Sequence, residues 1–326
     1  MALSRSRFLS CLMASGLALA VPAVHAQAYP DHPVKLVVPF APGGATDILG
    51  RLLATGLSDK LGQPVVVENR PGAGTVVAGG LVAKSPPDGY TLLLGASTTL
   101  TLNPAIRATL PYDPLRSFTP LGLVADMGLV LVVHNDTPAR TLKELVALAK
   151  ADPDKLSYGS FGTGSSVHFG GEMLKTATGM RMMHVPFNGS SPSLGALMGG
   201  QVQVAVDTVV ATAPLIKAGK IRPIAVLGAQ RLALLPQVPT VAESGYPGFD
   251  MGTWFAFLAP AGLPAPIQKQ LEKALADVMA DPAMVKKLVD IGLSPDKGNG
   301  SALQKRIERE LPLMRAVAAR ADIRVD

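Results

Sequence analysis

Two rhythms of apolar and polar positions take turns along the chain. Val34 to Arg51, VKLVVPFAPGGATDILGR, opens with an apolar strand over Leu36 to Pro39 and turns at Pro42-Gly43-Gly44. It then enters a helix at Thr46 or Asp47. Leu49, Leu53, Leu57 and Leu61 stand four apart, on one face of a helix over Ile48 to Leu61, and Gly62 supplies its stop. Val65 to Val67 is a short β-branched strand. Pro71-Gly72-Ala73-Gly74 is a tight turn, from which Thr75 caps a helix to Lys84. After the turn Pro86-Pro87-Asp88-Gly89, Tyr90 to Leu94 is another strand, ending in Gly95-Ala96-Ser97-Thr98. Strand and helix alternate, which predicts a parallel sheet with crossover helices.

Asn103 to Pro120 is proline-rich and predicts a long irregular connection, followed by a strand over Leu129 to Val133. Thr141 and Glu144 have capping-box spacing and open a helix to about Ala151, before Pro153. Leu156 to Ser160 is a short strand, Phe161 to Ser166 a glycine and hydroxyl loop, and Val167 to Thr178 a helix. This repeats the order of the opening stretch. Further strands fall at His184 to Phe187, Gln201 to Val206, Ile224 to Leu227 and Trp254 to Ala259. Ser191-Pro192 suits the cap and first position of a helix to Met198. Pro214 to Ala218 reads as a short helix, Thr240 to Glu243 as a second capping box, and Pro266–Ala280, Pro282–Ile291 and Leu303–Ala319 as closing helices.

The first 26 residues break both rhythms. Arg5 and Arg7 precede an apolar, small-residue run from Phe8 to Val21, and Val24-His25-Ala26 is a small-residue cleavage site. This predicts a secretory signal, removed on export, with Ala26-Gln27-Ala28 as the alternative site. The single cysteine, Cys11, leaves with it, so the mature chain has no thiol chemistry and no disulfide. The formal charge of +6 falls to +4 without Arg5 and Arg7. The remaining charges are interspersed and give no reason to invoke nucleic acid.

The residues exclude several chemistries. Ser165 or Ser166 with His168 and Asp207 could suggest a serine hydrolase, but Gly164-Ser165-Ser166-Val167-His168 is not a nucleophile elbow. Neither glycine loop has the lysine of a phosphate-binding P-loop. His32, His134, His168 and His184 lack metal-ligand spacing, so no metal and no cofactor is expected. What remains are backbone amides and hydroxyls at two helix N-termini, where the first amides lack intrahelical partners and the dipole favours an anion. This is the chemistry of a binder rather than an enzyme. Asp47 either caps the first helix or faces the ligand. Asp207 ends a strand on the side where α/β proteins bind ligands, and either accepts a bond from a ligand donor or ties down the next turn.

At these residues the chain resembles the solute-binding receptors of tripartite tricarboxylate transporters, the Bug family. The matching motifs are Tyr29-Pro30, Val38-Pro39-Phe40 with Pro42-Gly43-Gly44 and Asp47, Gln63 to Gly74, Pro87 to Leu92 and Leu110 to Pro114. They continue through Tyr158-Gly159-Ser160, Gly164 to His168, His184 to Phe187, Gly199 to Val202, Pro236 to Glu243 and Trp254-Phe255. The chain departs at Phe187-Asn188-Gly189, where tyrosine-lysine-glycine is commoner, and at Asp207-Thr208, where Asp-Asn is frequent.

The resemblance implies an α/β fold of two Rossmann-like lobes joined by a hinge, the type II architecture of periplasmic binding proteins. Residues 27–126 and 252–326 would form lobe I and 127–251 lobe II, with crossings near Asp126 to Leu129 and Phe249 to Trp254. It implies that a small organic carboxylate (a di- or tricarboxylate, an amino acid or an aromatic acid) is held between two loops and delivered to membrane transporter subunits. The first loop maps onto Phe40, Pro42, Gly43, Gly44, Ala45, Thr46 and Asp47, with Ser97 beside it. The second maps onto Ser160, Thr163, Gly164, Ser165, Ser166 and His168, with Asn188 and Asp207 lining the same side. A monomer is expected. A sensor subunit that reports ligand status to a signalling receptor is the alternative reading.

Overall fold

The computed structural model describes residues 29–152 and 155–325, so the predicted signal segment lies outside the described residues. The strands are β1 (Val34–Val38), β2 (Val65–Asn69), β3 (Thr91–Ala96), β4 (Phe118–Val133), β5 (Ser157–Ser160), β6 (Met183–Pro186), β7 (Val204–Thr208), β8 (Arg222–Val226), β9 (Gly252–Pro260) and β10 (Leu293–Pro295). The helices are α1 (Ala45–Leu61), α2 (Val76–Ala83), α3 (Asn103–Ile106), α4 (Leu142–Ala151), α5 (Ser166–Thr178), α6 (Ser190–Met198), α7 (Val209–Lys217), α8 (Ala265–Ala280), α9 (Pro282–Asp290) and α10 (Gly300–Arg320).

The strands order as β2-β1-β3-β9-β4-β7-β5-β6, with β8 and β10 also on β4. β2, β1 and β3 run parallel, as do β7, β5 and β6. Antiparallel β9 and β4 stand between these two half-sheets. Period-2 alternation sets the layers. Leu36, Leu92 and Phe257 face one core of the first half-sheet, and Val37, Leu93 and Leu258 face the other. Leu131 and Val206 face one core of the second half-sheet, and Val130 and Ala205 the other.

β4 joins the halves. It pairs with β9 from Phe118 to Gly128, then with β7 from Leu129 to Val133. Gly128 stands at the change of partner, where a Cβ would come within 2.4 Å of the Leu232 side chain. The final helix also serves both halves: Leu303 and Ile307 pack in the first, Met314 and Ala318 in the second.

Several elements differ from the sequence reading. Asn103 to Pro120 contains α3, preceded by a π-helical turn over Thr98–Leu102, and β4 already begins at Phe118. Pro120 and Gly122 made that strand look like a loop; the register shifts beside them absorb both residues. α7 starts at Val209, not Pro214, because Thr208 caps it through the Ala211 amide. The β-branched Val209-Val210 and the internal proline hide this start from propensity. α6 is capped at Gly189 rather than Ser191. Thr240 and Glu243 exchange both capping bonds, at 2.8 and 3.0 Å, yet Gly245 and Pro247 stop any helix from following.

Candidate functional site

The parallel strands of both half-sheets end on hydrophilic turns. Phe40 to Gly44 follows β1, Ser97 follows β3, Phe161 to Ser165 follows β5, Phe187 to Gly189 follows β6, and Asp207-Thr208 closes β7. Carboxyl ends of strands near a change in strand order are where open α/β sheets bind ligands.

The first loop is exposed from Ala41 to Gly44 and enters α1 with Gly44 as its cap. Asp47 is therefore the third helical residue, not the cap that local reading allowed. Its Oδ2 accepts the Gly43 amide and the Arg51 Nε, each at 3.0 Å, and its Oδ1 accepts the Asn69 amide at 3.0 Å. Burial pushes this carboxyl up, but the bonds from Arg51, Gly43 and Asn69 outweigh burial and hold its pKa low. Asn69 also binds the Phe40 carbonyl, so one anchored carboxylate shapes the whole turn. Ala45 and Thr46 form the first turn of α1, whose amides lack intrahelical acceptors.

The second loop is more enclosed. Ser165 caps α5: its Oγ accepts the His168 amide at 3.3 Å and donates to the Gly162 carbonyl at 2.6 Å. Gly164 has φ +76°, and Ser166 is buried at the first helical position while Thr163 is exposed. Ser160 Oγ accepts the Gly162 amide at 3.2 Å and lies 2.7 Å from His184 Nε2. His168 and His184 stack at 3.9 Å. Burial lowers both imidazoles to about 4, with Lys175 adding to the effect on His168 and His168 to that on His184.

Where the halves meet, β4 sets the spacing. Met127 pairs with Thr253, Leu129 with Thr208 and Val130 with Asp207. Two residues along a strand span roughly 7 Å, which brings polar groups of both halves to one crossing. Ser97 Oγ lies 2.8 Å from Thr253 Oγ1, both buried. Asp207 is fully buried. Its Oδ2 accepts from Ser190 at 2.7 Å and its Oδ1 from the Thr208 amide at 2.7 Å. Asn188 is exposed on the turn before α6. Among the described residues no hydrogen bond links the Phe40–Asp47 loop to the Ser160–His168 loop; each is held by its own half-sheet. Thr253, His184, Ser190 and Thr208 escaped sequence reasoning. The His184-Val185-Pro186-Phe187 motif was visible, but nothing local marks its imidazole as a partner of Ser160.

Burial raises the Asp207 carboxyl to about 6. The folded state thus keeps its proton to higher pH than the unfolded chain, whose aspartates titrate near 4. The stability Asp207 gives below pH 4 is lost as the pH rises through 6. Asp207→Asn keeps an acceptor for Thr208 and removes the buried charge. It is expected to raise stability by about 1–2 kcal/mol at pH 7.5 and to change little at pH 4. Denaturant titrations at the two pH values test this; a loss of stability at pH 7.5 contradicts it.

A surface depression of about 500 Å³ lies elsewhere, between Met173, Tyr246, Phe249, Val317 and Arg320, and shares no residue with either loop. Among the described residues, no three His, Cys, Asp or Glu side chains are placed to hold a metal ion. No described helix is long and apolar enough to cross a membrane.

Comparison with known proteins identifies the family and its fold. The model of the tripartite tricarboxylate transporter family receptor matches residues 49–320. A UPF0065 protein of Bordetella pertussis is 38% identical over 295 residues, covering 90% of this chain and 91% of that protein. Protein BugT of the same organism is 37% identical over 273 residues, or 83% and 84% of the two chains. The solved structure of Rpa4515 of R. palustris with adipate superposes with a TM-score of 0.83 at 38% identity, over 91% of this chain and 99% of that one. MatC from Rhodopseudomonas palustris with bound malate gives 0.79 at 32% identity, over 89% and 99%. The Rpa4515 and MatC structures hold adipate and malate, respectively. The chain belongs to the tripartite tricarboxylate transporter receptor family, the periplasmic solute-binding receptors of the Bug type.

Proposed function

We propose that this receptor captures a small organic carboxylate between the Phe40–Asp47 and Ser160–His168 loops and delivers it to tripartite tricarboxylate-type membrane subunits. The observation that carries this is the pair of strand–glycine loop–helix units at the carboxyl ends of β1 and β5, each with free helix N-terminal amides. Adipate in Rpa4515 and malate in MatC support a carboxylate as the ligand. Residues 27–126 and 252–326 form one lobe and 127–251 the other. The chain hinges where β4 changes partner and where residues 249–252 return, and α10 reaches across both lobes. The segment 1–26 directs export and is removed, and the receptor works as a monomer.

A thermal-shift panel of mono-, di- and tricarboxylates, amino acids and aromatic acids tests the reading, because a ligand of the folded state alone must raise its apparent stability. No shift with any acid defeats it. Ser165→Ala with Ser166→Ala is expected to weaken binding of the stabilising acid about tenfold or more by removing two hydroxyls from the loop. Loss of the Ser165 cap costs about 1 kcal/mol of stability. Unchanged affinity in the double variant removes this loop from the site.

A further inference from the structure

We propose that the stacked imidazoles of His168 and His184 are positioning residues of the second loop. They hold its Gly162 and Gly164 amides inside the protein and leave the Ser166 and Val167 amides as the donors offered to an anion. This rests on the reading of that loop as one jaw of the clamp.

The wiring is visible in the hydrogen bonds. His168 sits in the first turn of α5, and its Nδ1 accepts the Gly164 amide at 3.1 Å. Only a neutral ring has a lone pair at Nδ1, so the His168 proton sits on Nε2. The His184 ring lies 3.9 Å from the His168 ring, at 11° to it. Its Nε2 reaches Ser160 Oγ, which in turn accepts the Gly162 amide. His184 also stacks on Tyr158, its register partner across β5 and β6, with ring centroids 4.9 Å apart. One imidazole therefore fixes Gly164 directly, and the other fixes Gly162 through Ser160. Both glycines have positive φ, +134° and +76°, so neither conformation is held by local preference. Ser166 and Val167, the first two helical residues, have no intrahelical acceptor for their amides.

Burial, with some help from charge, keeps the pair neutral. From α5, Lys175 and Glu172 act on it; Glu172 is engaged by Lys175 at 2.8 Å and by the Tyr158 hydroxyl at 2.7 Å. β5 contributes Tyr158 and β6 contributes His184 itself. Burial and Lys175 oppose protonation of His168, and burial and His168 oppose that of His184. A protonated His168 would present a donor to the Gly164 amide, and two stacked imidazolium ions would repel. Acid should therefore open this loop before it unfolds the rest of the chain.

The test uses the full mature receptor. Nitrogen-15 NMR at pH 7 is expected to show His168 as the Nε2–H tautomer, with both rings titrating well below 6. His184→Phe keeps the stack and removes the bond to Ser160. Exchange of the Gly162 and Gly164 amides should then accelerate at least tenfold, with the later amides of α5 unchanged. Affinity for malate or adipate, whichever stabilises the wild-type protein, should fall at least tenfold, and His184→Gln should restore most of it. An Nδ1–H tautomer at His168, or exchange at both glycines within twofold of wild type in His184→Phe, overturns the proposal. The NMR and exchange measurements need no ligand, so they decide it even if no acid binds and the clamp reading fails.

Discussion

Arg306→Ala is expected to lower the unfolding free energy by about 3 kcal/mol. The Arg306 guanidinium reaches Asp126 on β4 at 2.6 Å, Glu310 on α10 at 2.9 Å and Asp296 beyond β10 at 3.4 Å. It also lies 5.1 Å over the Trp254 ring, whose indole donates to Glu310 at 2.6 Å. Removing it leaves three carboxylates facing one another. Stripping one partner from a buried pair costs about 3–5 kcal/mol, and the loss of the cation–π contact adds roughly 0.5–1. Asp126 keeps 40% of its side-chain surface in water, which holds the total at the lower end. The corresponding drop in Tm is about 6 °C. Arg306→Lys should recover only part of the loss, because an ammonium cannot serve three acceptors from a planar fork. Asp126 and Trp254 are register partners, one step from the Met127–Thr253 pair, so the loosening falls at the crossing of the half-sheets. A change below 0.5 kcal/mol would mean that solvent already screens the cluster.

Gly164→Val should be comparably damaging, for reasons of shape. The backbone there has φ +76°, where a β-branched residue is strained by roughly 1–2 kcal/mol. A Cβ would also come within 2.4 Å of Ile106 Cδ1, and overpacking of that kind costs about 1–3 kcal/mol. The sum is about 2–5 kcal/mol. Ile106 is held in turn by α10's tail, since the Val325 amide donates to its carbonyl at 3.2 Å. Adding Ile106→Ala should make the pair less destabilising than the two single changes together, because it relieves the clash but not the strain. Strict additivity by denaturant titration would show that strain alone acts. Gly162→Ala is the control: φ is +134°, but nothing comes nearer than 3.7 Å, so strain is its only cost.

Much of the fold was legible because it is local. The four-residue spacing of Leu49, Leu53, Leu57 and Leu61 does mark the buried face of α1. The Thr141–Glu144 box does open α4, and a helix does follow the Phe161–Ser166 loop. The first half of β4 was illegible because Pro120 and Gly122 are read one residue at a time, whereas the strand exists through its pairing with β9. The start of α7 was hidden for the same kind of reason: Val209-Val210 favours a strand until Thr208 supplies the cap. Within the candidate site, both glycine loops were visible as turns between strand and helix. His184 was not visible as the partner of Ser160 beside the second loop, because tertiary packing, not spacing, brings the two together.

The sequence by itself determined the alternation of strand and helix, the buried face of α1, the two glycine loops between strand and helix, and the family. Those are properties of consecutive residues, governed by dihedral preference and periodicity. Only the tertiary structure decided that Ser97 meets Thr253, 156 positions away, and that Arg306 meets Asp126, 180 positions away. It also decided that Asp207 is buried with, among the described residues, no cation in contact, and that two histidines stack beneath one loop. These depend on which strands β4 brings side by side and on how much water is excluded around each group. Neither quantity is written in any short window of the chain, because both are sums over distant neighbours.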